Sequence, residues 1–265
     1  MQASAATTPE QFNFQRLVAF CGLALTISWT LWAVAANSAS MRPILSNLCA
    51  FGPTVAALIV LSRRPGELPA LWQRLLIWRC DIRTYLFVFG ITAIGCALAL
   101  GLDLMINGTG PVFPTVSPVY LPLLVFVFVL LFSVAGEELG WRGYALPELL
   151  KRVGPLAASL VLGIIWAIWH LPLFYIAGNF HTDIPIALFG IQIVAFSILY
   201  TAVHLRTGGS LLMVHLFHAA SNTTIGIFPI LPVQRDGSST ALWIAVGFLV
   251  VLAIRIGVQI RDCET

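Results

Sequence analysis

The sequence predicts an all-α protein, a polytopic membrane helix bundle of about eight transmembrane helices with one short interfacial amphipathic helix. Three observations carry this. Of 265 residues, 59% are hydrophobic and only 9% are charged, whereas soluble domains carry roughly 25% charged residues. Apolar runs close to the ~20 residues that a spanning helix needs recur along the whole chain. The basic residues gather in alternate connections. The net charge of +3 is scattered among those connections, so it gives no footprint for nucleic acid. The five cysteines show neither a disulfide framework nor metal-ligand spacing. Residues 1–265 therefore read as a single integral-membrane domain.

Taken in order, residues 1–15 form a polar lead, and the predicted spans are 17–36, 46–62, 84–106, 118–140, 156–177, 185–204, 210–231 and 240–259. Residues 63–83 form the one substantial connection. There Leu68, Leu71, Trp72, Leu75, Leu76 and Trp78 mix with Arg74 and Arg79. That mixture fits either an amphipathic helix at the interface or a plain basic loop. Eight spans place Arg16, Arg63, Arg64, Arg74, Arg79, Arg83, Arg142, Lys151, Arg152, Arg206, Arg255 and Arg261 on one side, twelve of the fourteen basic residues. Only Arg42 and Arg235 fall on the other. Cytoplasmic connections carry the excess of Lys and Arg, which makes both termini cytoplasmic in a cell membrane.

Polar residues inside such spans are costly and mark candidate function. Three stretches stand out: Gly136-Glu137-Glu138-Leu139-Gly140-Trp141-Arg142-Gly143-Tyr144, Trp166-Ala-Ile-Trp-His170, and His215-Leu-Phe-His218-Ala-Ala-Ser-Asn222. With spans four and five as a hairpin turning near Arg152–Pro155, Glu137 and His170 lie equally far from the turn and so at one depth. His218 and Asn222 are i, i+4 and share a helix face. A carboxylate, two imidazoles and a carboxamide are thus expected around one cavity, opening toward the cytoplasm. Glu138 and Arg142 have the spacing of an intrahelical ion pair, and Trp166 the spacing of a pocket wall beside His170. His215 reads as packing or support. His181 falls in a short outer loop, far from the site in this topology.

A carboxylate beside an imidazole can hold and deprotonate water, while imidazole and carboxamide can stabilise an oxyanion. The same four groups could instead hold a divalent metal such as zinc. Ser221 points about 100° away from Asn222 on an ideal helix, which disfavours a covalent nucleophile.

At these residues the chain resembles the CAAX proteases and bacteriocin-processing enzymes, which include the type II CAAX prenyl endopeptidases. Glu137, Glu138 and Arg142 match the family's Glu-Glu-x-x-x-Arg motif, extended by Trp141-Arg142-Gly143-Tyr144. His170 matches the second motif, Phe-x-x-x-His, with Trp166 in place of phenylalanine. His218 and Asn222 match His-x-x-x-Asn. The resemblance covers residues 118–226 and implies an intramembrane metalloprotease or glutamate endopeptidase. By that resemblance Glu137 and His170 activate water, and His218 and Asn222 stabilise the oxyanion. The substrate it implies is a membrane-associated protein or peptide, lipidated or a leader peptide, and the compact chain looks prokaryotic. The resemblance also admits a non-catalytic membrane partner or bacteriocin-immunity protein. A transporter ranks last, because no inverted repeat of broken helices is visible.

Overall fold

The computed structural model describes residues 12–262, apart from 39, 65, 109 and 114–119. Most of the polar lead and the first two residues of the predicted fourth span lie outside the described residues. The described residues form helices and connecting turns, with no strand among them. The helices are α1 (Phe14–Asn37), α2 (Arg42–Leu48), α3 (Gly52–Leu61), α4 (Glu67–Leu75), α5 (Ile82–Asn107), α6 (Leu121–Leu150), α7 (Pro155–Trp169), α8 (Ile186–Arg206), α9 (Leu211–Ile227) and α10 (Thr240–Asp262). Seven of them, α7 and α9 counted with their following turns, are long and apolar enough to cross a membrane.

Local sequence sets the ends. Asn13 caps α1 by accepting from the Arg16 backbone N–H at 3.0 Å, and Asp81 caps α5 through Arg83 at 2.8 Å. Gly108, at φ 70°, closes α5 in the left-handed conformation that glycine adopts freely. Ser210 caps α9 by accepting from Met213 at 3.1 Å, and its hydroxyl donates to the Ile77 carbonyl at 2.6 Å.

Two expected spans come out differently. The second is broken into α2, a single 3-10 turn at Cys49–Phe51, and α3, and its apolar helix is shorter than the other seven. It nevertheless runs back along the length of α1. Arg42 donates to the carbonyls of Ala35 and Ala36 at one end, and Arg16 reaches the Val60 carbonyl and Glu67 at the other. The fourth span does not stop at Gly140 but continues to Leu150. Arg142 does not end it, because this guanidinium is neutralised within the helix.

α6 approaches α3 through glycine. A β-carbon on Gly136 would sit 2.6 Å from backbone atoms of Ala50, and one on Gly140 2.5 Å from backbone atoms of Pro53. This i, i+4 glycine pair lets two backbones touch, as small residues do between membrane helices. Thr54 fastens the contact by donating to the Ala135 carbonyl at 2.9 Å. Residues 67–75 do form the short amphipathic helix, α4. Its Leu71 is buried beneath Gly143, and Arg74 donates to the Gly143 carbonyl at 2.5 Å. These bonds bring the start of α1, α4, the end of α6 and the start of α9 to one end of the bundle, the basic end. At the opposite end Arg235 pairs with Asp103 of α5, a fully buried acid that also accepts from Asn107.

A Gly140→Val substitution should therefore push α6 off α3. We expect a loss of about 1–3 kcal/mol from overpacking, read as a lower melting temperature of the detergent-solubilised protein. Gly90→Ala, where a β-carbon meets nothing within 4 Å, should be neutral or slightly stabilising, since alanine is the better helix former. Equal melting of both variants would refute the close approach.

Candidate active site

The acid pair sits between two irregular turns. α6 widens into a π-helical turn at Leu130–Val134 and again at Trp141–Ala145, with regular α-helix over Ala135–Gly140 between them. Such turns recur at functional sites. Consecutive helical residues point about 100° apart, so the two acids face different partners. The carboxylate of Glu138, fully buried, accepts from Arg142 Nη1 at 2.8 and 3.1 Å and faces His218 Nδ1 at 2.8 Å. That of Glu137 accepts from the Trp166 indole N–H at 2.7 Å.

Arg142 has no exposed surface. Its guanidinium carbon lies 4.6 Å from the ring centre of Trp166 and 5.0 Å from that of Tyr200, so its remaining charge faces aromatic rings. Trp166 thus does more than line a wall. Its indole holds Glu137, while its ring stacks on Arg142 and lies edge-on to His218 at 5.2 Å. A phenylalanine there could not donate to Glu137.

His170 immediately follows the last residue of α7, where Pro172 turns the chain into a 3-10 turn at Leu171–Tyr175. His170 Nδ1 lies 2.8 Å from the Trp166 carbonyl, one of the carbonyls left over at a helix end. A carbonyl only accepts, so Nδ1 carries the proton and Nε2 keeps its lone pair. His215 is spent similarly, with its Nδ1 2.6 Å from the Leu211 carbonyl, and takes no place in the cavity wall. Ser221 shares a hydrogen bond with Thr92 at 2.9 Å.

Glu137, Trp166, His170, His218 and Asn222 all line one cavity of about 420 Å³. Two expectations are corrected here. The cavity lining does not extend toward the basic end, where Arg142 is buried, but runs from Glu137 the other way, to the 171–184 connection. His181 consequently belongs to the cavity wall. That connection folds back over the end of α7 and brings the His181 ring 6.1 Å from that of His170. Asn179 anchors it through His181 Nδ1 at 2.7 Å. Burial pushes His181 down to about 4, so it is neutral near pH 7. Only the Asn-x-His spacing in a short loop hinted at this. Buried Asp103 was also missed, although an aspartate inside the apolar run of α5 was visible.

Among the described residues no three His, Cys, Asp or Glu side chains are gathered closely enough to hold a metal ion. The acid and the two imidazoles share a cavity rather than a ready coordination sphere. Catalytic zinc takes three protein ligands, so the donor set does not fit a metal in this arrangement.

Residues 119–224 match the family model described as Type II CAAX prenyl endopeptidase Rce1-like. The matched segment contains both acids, Arg142, the three cavity histidines and Asn222. A CAAX prenyl protease 2 of Methanococcus maripaludis is 34% identical over 109 residues, which are 39% of this chain and 39% of that relative. The family match covers the segment that carries the motifs, and the chain spans about two fifths of the relative's length.

The buried pair makes a sharp stability prediction. Arg142→Met leaves Glu138 without its charged partner and should cost about 3–5 kcal/mol. Adding Glu138→Leu should restore much of the melting temperature, since an apolar pair can replace a buried ion pair. Wild-type melting of Arg142→Met alone would show that the pair does not hold the helix.

Proposed function

We propose that residues 118–226 form the catalytic core of an intramembrane endopeptidase that hydrolyses a peptide bond with water activated by Glu137 and His170. One observation carries the reading. A carboxylate held by a single neutral donor, two imidazoles and a carboxamide line the same cavity inside an apolar bundle. The similarity of this segment to CAAX proteases supports it.

The tautomers suggest the division of labour. His170 Nε2, an acceptor, orients the water by accepting one O–H. Glu137 takes the water's other proton as its oxygen bonds to the carbonyl carbon. Asn222 donates to the oxygen that becomes negative, with His218 beside it in the cavity wall. The tetrahedral intermediate then collapses. The C–N bond breaks, and Glu137 returns its proton to the departing amine nitrogen. Zinc held by Glu137, His170, His218 and Asn222 would demand rearrangement of these groups, and no step here is routed through it. Membrane lipid is the surrounding partner, and the cell membrane with cytoplasmic termini is the proposed location.

Glu137→Gln keeps the shape and removes the base. It should abolish cleavage of a fluorogenic peptide by the purified protein while leaving its melting temperature within experimental scatter. Asn222→Ala should lower kcat by about 10²–10³, the usual effect of one oxyanion donor. Trp166→Phe should lower kcat more than it raises KM, because it frees the Glu137 carboxylate. Activity that persists in strong chelator supports water held by the side chains alone, while activity lost on chelation and restored by zinc supports the metal reading. Full activity of Glu137→Gln refutes the mechanism, and an undiminished immunity phenotype in that variant would favour the non-catalytic partner.

A further inference from the structure

A second cavity, of about 620 Å³, lies at the basic end of the bundle between α4 and the last turns of α6. α4 contributes Glu67 and Arg74 to its wall. α6 contributes Tyr144 and Glu148, and Lys151 stands just past the end of that helix. This wall shares no residue with the wall of the central cavity.

Its polar groups are only partly satisfied. Glu148 is 5% exposed. Its Oε1 accepts from Lys151 Nζ at 2.7 Å, while its Oε2 is buried without a hydrogen-bond partner. Tyr144, 3% exposed, also buries its hydroxyl without a partner. Buried groups of this kind are costly unless something meets them. On α4, Glu67 is paired with Arg16 and Arg64. Arg74 gives one N–H to the Gly143 carbonyl at 2.5 Å and forms no ion pair among the described residues. A guanidinium has five N–H donors, so Arg74 retains donors for an anion. The wall thus combines an unused carboxylate oxygen and an unused hydroxyl with a cation that lacks a counter-charge. Its charged side chains are two acids and two bases. That balance disfavours a ligand of one sign and suits a zwitterion.

The depth of the cavity narrows the choice. Trp72 on α4 and Trp78 just after it are both exposed. Tryptophan gathers at the boundary between hydrocarbon and water, which puts this cavity at the level of lipid headgroups. An ethanolamine headgroup carries a phosphate and, two carbons away, a primary ammonium. An ammonium of that kind has three donors, which Glu148 Oε2 and the Tyr144 oxygen can accept. The phosphate oxygens accept from Arg74. A choline headgroup has the same charges but no N–H, and leaves Glu148 Oε2 unpaired. A glycerol headgroup brings no cation for the acids.

We infer that this cavity binds the headgroup of an ethanolamine phospholipid, with the ammonium on Glu148 and Tyr144 and the phosphate on Arg74. Gly143 and Tyr144 directly follow Arg142, so a bound headgroup braces α4 against the helix that carries the acid pair. The inference rests on this cavity alone and is independent of the endopeptidase reading.

The full chain is purified in detergent, stripped of lipid, and given dioleoyl phosphatidylethanolamine, phosphatidylcholine or phosphatidylglycerol, or soluble glycerophosphoethanolamine. Native mass spectrometry counts retained lipid, and the melting temperature is followed in parallel. The ethanolamine lipid should raise the melting temperature and bind at least about tenfold more tightly than the choline lipid, the effect of one hydrogen bond to a charged group. Glu148→Gln keeps the size and removes the charge, and should erase that preference. Ala70→Trp, on the exposed side of α4 and lining the cavity, should block retention by filling the space. Equal retention of ethanolamine and choline lipids by the wild type overturns the inference. Tighter binding of phosphatidylglycerol does so too, as does a Glu148→Gln protein that keeps the preference. If Glu148→Gln does not fold, Ala70→Trp decides, and undiminished retention in that variant overturns the site. Soluble glycerophosphoethanolamine binding as tightly as the lipid overturns the lipid as the source of the headgroup.

Discussion

The charge on Glu138 is the constraint around which the centre of this molecule is arranged. A carboxylate with no exposed surface inside an apolar bundle must be neutralised nearby. Arg142 does this from the next turn of the same helix, and His218 Nδ1 adds a contact from α9. Burying Arg142 creates a second demand, which the rings of Trp166 and Tyr200 meet from α7 and α8. One ionised group thereby ties together four helices. The consequence for chemistry is an asymmetry between adjacent acids. Glu138 faces a guanidinium and an imidazole, whereas Glu137 accepts from one neutral indole and faces open space. The acid paired with the guanidinium is fixed, and in the mechanism proposed above the other is the one that exchanges a proton.

That arrangement depends on close packing behind it. Gly136 and Gly140 flank the acid pair and point toward the Cys49–Phe51 turn and α3 respectively, where backbone meets backbone. Any larger side chain would lift α6 and rotate both carboxylates away from their partners. The two π-helical turns on either side of the pair fit the same need. Each inserts an extra residue per turn, which lets a continuous thirty-residue helix present glycine to α3 and carboxylates to α7 and α9. Packing and site are the same set of contacts viewed from opposite faces of one helix.

Much of this could be read from the chain. Apolar runs located the spans because length and hydropathy are local properties. The i, i+4 spacings of Glu138 with Arg142 and of His218 with Asn222 located shared faces because helical geometry is fixed. What could not be read depends on contacts between segments distant in sequence. Trp166 looked like a wall because its role as donor exists only once α6 lies beside α7. The fourth span seemed to stop at Gly140 because an arginine two residues later looked like a loop signal, whereas its partner lay inside the same helix. His181 seemed remote because loops at the ends of spans are usually placed outside the bundle. The break at His170–Pro172 instead folds the connection inward, toward α8 and the cavity mouth. The direction of the cavity followed from the same turn. Equal depth was legible in the spacing of Glu137 and His170 from their hairpin, but which end was filled was not.

The two ends of the cavity also differ in how they are built, and this bears on dynamics. The floor is continuous helix, crossed by an ion pair and by aromatic rings with almost no exposed surface. The other end is bounded by the 3-10 turns Leu171–Tyr175 and Phe180–Asp183 and by Leu231, and such turns hold fewer and poorer backbone hydrogen bonds than α-helix. Segments of that kind open locally at a lower free-energy cost than the helices they join. A peptide admitted between them need not disturb the pairing of Glu138 with Arg142, because that pair lies on the far side of Glu137 from the mouth. Catalysis by preorganised dipoles requires groups that do not reorganise during the reaction, and admission of a chain requires groups that do. In the endopeptidase reading proposed above the two requirements separate along the axis of the bundle, with the Glu138–Arg142 ion pair at the basic end and 3-10 turns at the other.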